Sequence, residues 1–181
     1  MLVMLCVFID TDAQTRVGMY NSVKGLGASV ELVSRDNPTE ADIFTLYADT
    51  YGVFSGRSGF VGVIGSYSHD YSFIHKDYEF FSIELHSGAG LLGGYARDHE
   101  SGVFSRNRLP LTKSPGICIA VTGNVGVRFF FDRKISLDLS FTIEPGMHIR
   151  TDDVDGHLMI STYNNGLFHF MYPQMRIYYN F

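Results

Sequence analysis

Three groups of residues combine a hydroxyl, an imidazole and a carboxylate, the parts of an acyl-transfer centre. They are Ser68-His69-Asp70, then Asp98-His99-Glu100-Ser101, then His148 with His157 and Ser161. A triad is defined by geometry and not by adjacency in sequence, so none of these carries a catalytic assignment by itself. His69 and His99 fall in expected surface loops, where a lone histidine is solvated. No H-E-x-x-H spacing and no Cys/His zinc spacing occurs, and Asp152-Asp153 lacks the remainder of a calcium loop. Gly88-Ala89-Gly90 and Gly93-Gly94 precede no helix, which excludes a phosphate loop and leaves turn and close-packing roles. Of the two cysteines, Cys6 lies in the amino-terminal run and Cys118 reads as a small packing residue. No catalytic residue, metal or cofactor is therefore expected.

The elements that would position any site are strands. The 181 residues suit one domain, and the apolar content of 45% with 14% aromatics excludes disorder. No apolar run reaches the ~18 residues of a membrane helix, and a net charge of −5 gives no support for nucleic-acid binding. From Ile135 to Ile149 the alternation is strict. Ile135, Leu137, Leu139, Phe141, Ile143, Pro145, Met147 and Ile149 share one face, with Ser136, Asp138, Ser140, Thr142, Glu144, Gly146 and His148 on the other. Residues 117–131 alternate likewise, and Asp132-Arg133-Lys134 joins the two stretches as a hairpin. Further strands are expected over residues 23–34, 41–54, 60–68, 78–86, 91–97 and 169–181, making eight in all.

Short connections are then expected near 55–59, 86–90 and 132–134, and longer ones near 35–40, 69–77, 98–115 and 150–168. Short turns at one end and long loops at the other mark a transmembrane β-barrel, with both termini at the short-turn end. Residues 1–9 are unbroken apolar, and Thr11 and Ala13 stand as small residues before Gln14. Residues 1–13 thus read as the remnant of an export signal and 14–181 as the barrel; an N-terminal core strand is the alternative.

The chain ends on Phe181, with Tyr179, Ile177, Met175, Pro173 and Met171 at every second place before it. This tail resembles the C-terminal assembly signal of bacterial outer-membrane barrels, carried by Met175, Ile177, Tyr179 and Phe181. With the alternating strands, it makes the chain resemble small eight-stranded outer-membrane barrels of the OmpX/OmpA type. It is similar above all to uncharacterised outer-membrane β-barrel domain proteins of Gram-negative bacteria, which the stretch 132–141 and Tyr172-Pro173-Gln174 also resemble. The absence of Trp is a departure, and Tyr and Phe would serve in the aromatic girdles.

The fold class implied is all-β, an eight-stranded antiparallel up-and-down transmembrane β-barrel. Its polar face collects Glu31, Asp49, Glu84, Asp138 and Glu144 with Arg97, Arg128 and Arg176. Eight strands leave room for side chains but not for an open channel, so these charges are expected to pair in the lumen. The expected partners are outer-membrane lipid, lipopolysaccharide and the barrel assembly machinery, with no nucleic acid, and the barrel is expected to be a monomer. Arg106, Arg108 and Lys113 make the 98–115 loop a candidate for anionic headgroups. A lipid-modifying barrel enzyme and a soluble lipocalin-like barrel are the alternatives to a non-enzymatic membrane barrel.

Overall fold

Ten strand segments close into a wall of eight strands. The computed structural model describes residues 14–54, 59–97, 114–132, 134–151, 156–163 and 171–181. The segments are β1 (Gln14–Ser22), β2 (Gly25–Val33), β3 (Glu40–Asp49), β4 (Gly62–Asp77), β5 (Ser82–Ala96), β6 (Gly116–Asp132), β7 (Ile135–Ile143), β8 (Gly146–Thr151), β9 (Leu158–Thr162) and β10 (Met171–Asn180). A four-residue helix, α1 (Tyr51–Phe54), follows β3. Every pairing is antiparallel between wall neighbours, β5 pairs with β6, and β10 pairs with β1, which closes the ring.

Two of the eight wall strands are interrupted. On β6, Gly123 faces Ile143 of β7 and Ala120 faces Gly146 of β8. That is a step of three residues on each side, so β7 and β8 are one strand in one register, as the alternation of 135–149 requires. The ladder breaks at Pro145 because proline has no N–H to give; its carbonyl still accepts from Val121 N–H at 3.1 Å. The eighth strand is built from β9, on β8, and β10, on β7.

Register fixes the shape. A path along paired residues from Gln14 runs through Val33, Ala41, Asp70, Gly88, Asn124 and Thr142 to Tyr172. Tyr172 lies two residues past the Gln174–Ser22 pair, level with Lys24, so the circuit returns to the first strand ten residues from its start. Eight strands with that stagger are tilted by roughly 40° to the axis.

Residues 158–162, expected in a loop, form β9, and two further differences from the expected wall cancel in the strand count. Residues 14–22 are β1 and were not expected to be a strand. Residues 86–90 are the middle of β5, not a turn, and 69–77 continue β4, not a loop. The misleading signal is glycine. A Cβ on Gly88 would lie 1.9 Å from Asp70 Oδ1, and one on Gly90 would lie 1.8 Å from the Tyr67 carbonyl oxygen. These glycines face a crowded interior and do not mark a bend. The connections at the termini end are therefore 34–39, 78–81 and 133–134. Those at the other end are 23–24, 50–61, 97–115 and 152–157, so the first connection is tight where long loops otherwise stand.

The two faces of the wall have opposite character. Large apolar side chains stand exposed on the outside, among them Met19, Leu46, Leu91, Val121, Phe141 and Ile177. Among buried side chains of the described residues, 23 are polar or charged and 13 are apolar, five of these being tyrosines. The core of this barrel is a polar lumen, so its stability depends on how completely buried polar groups are paired.

Candidate functional site

Among the described residues the lumen holds the densest set of titratable side chains, arranged in two groups. The one nearer the termini end is centred on Arg128 of β6. Its Nη1 lies 2.6 Å from Glu31 Oε1 and 3.7 Å from Glu84 Oε1, and its Nη2 lies 3.3 Å from Asp138 Oδ2. Arg16 of β1 shares Glu31 Oε1 at 3.0 Å, and Arg176 of β10 approaches Asp138 Oδ2 at 3.7 Å. His86 stands between two carboxylates, with Nε2 3.2 Å from Asp138 Oδ2 and Nδ1 3.2 Å from Asp70 Oδ2. Asn124 donates to Asp70 Oδ1 at 2.9 Å, and Ser72 donates to Glu84. Three guanidinium groups thus face four carboxylates, and His86 stands between two of the carboxylates.

The second group lies under the long-loop end. Lys24, in the two-residue turn after β1, is buried and reaches across to Glu144, with Nζ 2.5 Å from Oε2. Tyr172 donates to the other carboxylate oxygen. The ammonium lies 4.4 Å from the Tyr172 ring centre and 5.3 Å from that of Tyr163. Tyr20 donates to the Tyr172 hydroxyl at 3.4 Å and packs on Tyr47, with ring centres 4.9 Å apart. The main chain holds this turn as well, because Thr50 N–H and Tyr51 N–H both donate to the Lys24 carbonyl.

Of the eight charges projected inward from the sequence, Glu31, Glu84, Asp138, Arg128 and Arg176 meet in the first group and Glu144 in the second. Asp49 is buried and accepts from Tyr51 N–H at 3.2 Å. Arg97 stands one residue past the end of β5 and is half-buried. Sequence reasoning missed Arg16, Lys24, Asp70 and His86. Arg16 had a legible signal, since Val17 and Met19 alternate with Gly18 and Tyr20. Asp70 falls in the loop expected over 69–77, and His86 at the end of the strand expected over 78–86, where only formally charged side chains were counted.

The hydroxyl–imidazole–carboxylate sets do not assemble where they are described. Ser68 and Asp70 point inward while His69, between them, points outward and bonds Asp42 Oδ1 at 2.9 Å. His148 is buried with Nε2 3.0 Å from the Ala96 carbonyl; Ser161 sits opposite it on β9, and His157 is exposed. Residues 98–101, with the basic side chains of 106, 108 and 113, lie outside the described residues. Among the described residues no group of three or more His, Cys, Asp or Glu side chains is placed to hold a metal ion. Met175, Ile177 and Tyr179 line the outer face of β10, and Tyr179 meets Phe181 edge-on at 5.1 Å.

One comparison places the fold. The chain is similar to the N-terminal β-barrel domain of OprF from Pseudomonas aeruginosa, with a TM-score of 0.55 over 94% of this chain and 98% of that domain. Their sequences are 9% identical, so the likeness is one of fold. No protein-family model and no curated protein matches the chain.

Proposed function

We propose that the chain is an integral outer-membrane β-barrel protein without enzymatic activity. Its lumen is closed by ion pairs and tyrosines, and its long loops face outward for envelope integrity, adhesion or binding. The observation that carries this reading is the polarity of the wall. A soluble ligand-binding barrel is apolar inside and polar outside, whereas this one buries Arg128, Glu31 and Asp138 and exposes Leu46, Leu91 and Phe141. A closed barrel satisfies all its backbone groups within the wall, which is what a strand must do in lipid.

In this reading β10 carries the assembly signal. Met175, Ile177, Tyr179 and Phe181 face lipid, while Arg176 and Tyr178 on the other side complete the lumen where β10 meets β1. Residues 1–13 act as the export signal, and the long-loop end meets lipopolysaccharide.

Fractionation of cells expressing the full chain tests the proposal, combined with gel electrophoresis before and after boiling. Recovery in the outer membrane with a heat-dependent shift in mobility is the expected result. In planar bilayers the folded protein should give no sustained pore conductance. A soluble protein without the shift would overturn the reading, and the lipocalin-like alternative would then lead.

A further inference from the structure

In the group centred on Arg128 every cation is a guanidinium or an imidazole, and carboxylates are shared among several of them. Glu31 meets Arg16 and Arg128, and Asp138 meets Arg128, Arg176 and His86. The pair under the long-loop end is built differently. Lys24 and Glu144 stand one to one, 120 residues apart in sequence. Their side chains are 2% and 3% exposed, so water has no access to the contact.

The count of donors also sets this pair apart. A lysine ammonium carries three N–H groups. Among the described residues Nζ has one acceptor, Glu144 Oε2 at 2.5 Å, and otherwise meets the rings of Tyr172 and Tyr163. An ion pair in that state keeps two charges out of water and leaves donors unmade, and both are costly. An amide between the same two groups carries no charge and a single N–H. Lysine is the cation that can make one, because its buried amine gives up a proton readily whereas a guanidinium does not.

Both attachment points are fixed in place. Lys24 N–H donates to Ser22 Oγ at 3.2 Å, and the Lys24 carbonyl accepts from Thr50 and Tyr51. Glu144 precedes Pro145, whose ring fixes its own backbone angle and whose carbonyl accepts from Val121 at 3.1 Å. Reacting groups held at contact distance by a rigid frame gain the large effective concentration of an intramolecular reaction.

We propose that Lys24 and Glu144 condense to an intramolecular isopeptide bond once the barrel has closed. A proton passes from Nζ to Oε2 across the 2.5 Å contact, giving a carboxylic acid and a neutral amine, the nucleophilic form of lysine. Nζ then attacks Glu144 Cδ. The developing negative charge falls on Oε1, to which the Tyr172 hydroxyl already donates, and Tyr20 donates to Tyr172 in turn. The Cδ–Oε2 bond breaks with its electron pair going to oxygen, a second proton moves from Nζ to Oε2, and water leaves. An N–C bond replaces a C–O bond, one N–H remains, and nothing is oxidised or reduced. The link reaches over β10, which lies between β1 and β7, so it seals the seam where the last strand meets the first. It forms only after closure, because the ten-residue stagger is what brings residue 24 beside residue 144. The inference rests on the closed wall and not on the membrane reading.

The test is peptide mass spectrometry on the full chain refolded from denaturant into detergent micelles, with each sample scored only as a barrel that shows the heat-dependent shift. Trypsin cuts after arginine and lysine, but not at a lysine bound through Nζ. Residues 17–35 and 135–150 should therefore appear as one branched peptide, lighter by one water than its two parts together. Chain kept in denaturant should give 17–24, 25–35 and 135–150 as separate peptides. Lys24→Arg keeps the opposite charges but cannot condense. It should give no branched peptide, and after boiling it should run more slowly than the parent, whose denatured chain keeps a covalent loop. Tyr172→Phe removes the donor at Oε1 and should slow formation of the branched peptide about a hundredfold. A folded parent barrel that yields only separate peptides overturns the inference and leaves an ion pair, with the membrane reading standing. A branched peptide from chain that was never folded, or one formed at the parent's rate in Tyr172→Phe, overturns the assignment of the reaction to this site. A parent chain that never shows the shift overturns the closed wall and the inference with it, and cell fractionation decides the membrane reading separately.

Discussion

Arg128 and Glu31 lie 2.6 Å apart although β6 and β2 are not paired in the wall. The contact spans the lumen and ties together two walls that the strand ladder leaves separate. Arg128→Met would strand Glu31 with Arg16 alone and leave Asp138 to Arg176 and His86. A buried pair broken from one side costs about 3–5 kcal/mol, more than the intact pair contributes. Urea unfolding in lipid vesicles, followed by circular dichroism since the chain has no Trp, should show that loss. The double variant Arg128→Met with Glu31→Met should lose less than the two single losses added together.

Lys24 holds the tight first turn down into the barrel mouth. Lys24→Met keeps the aliphatic stem on Tyr172 but leaves Glu144 with the Tyr172 hydroxyl only. The expected outcome is local opening more than global unfolding. Hydrogen exchange should accelerate at Thr50 and Tyr51, whose N–H groups are bonded to the Lys24 carbonyl, before amides in β6 and β7 respond.

Two glycines give opposite results under the same substitution. In Gly126→Ala the new methyl carbon would lie 2.5 Å from Ser140 Cβ and 2.7 Å from His86 Nε2. Overpacking of this kind costs about 1–3 kcal/mol. Gly93→Ala meets open space, and its stability should remain within about 0.5 kcal/mol of the parent. Unfolding midpoints of the two variants measured side by side decide the matter, and equal losses would contradict the inward and outward assignment.

Pro145→Val should restore a donor to the β6–β8 ladder. Val121 already donates to the carbonyl of residue 145, and the return bond is missing because proline has no N–H. The gain should be about 0.5–1.5 kcal/mol, the usual net value of one hydrogen bond. It would be read as a higher urea midpoint, with slow hydrogen exchange at the amide that the substitution introduces.

Where alternation is unbroken, the sequence alone determined which way side chains point. Residues 135–149 and 117–131 occupy the faces their spacing requires, because the strand period is two and a one-residue slip would put Asp138 and Arg128 into the apolar face. Phe181 and the residues at every second place before it likewise identify β10. Alternation fails as a guide where an inward residue is glycine. Gly88 and Gly90 are small because Asp70 and the Tyr67 carbonyl crowd them, and that crowding comes from a neighbouring strand. A linear reading has no access to it, so β5 was divided at its middle, between His86 and Leu91.

Which charges meet was decided only by closure of the barrel. Arg128 and Asp138 are opposite each other across a hairpin, and their pairing follows from the short turn between them. Arg128 with Glu31, Arg16 with Glu31, and Lys24 with Glu144 depend on a ten-residue stagger summed around eight strands. Each strand's register is set by its own pair of faces, but the stagger exists only once β10 has found β1. Sequence spacing therefore supplies the inward set of side chains, and the tilt of the closed wall chooses the partners within it.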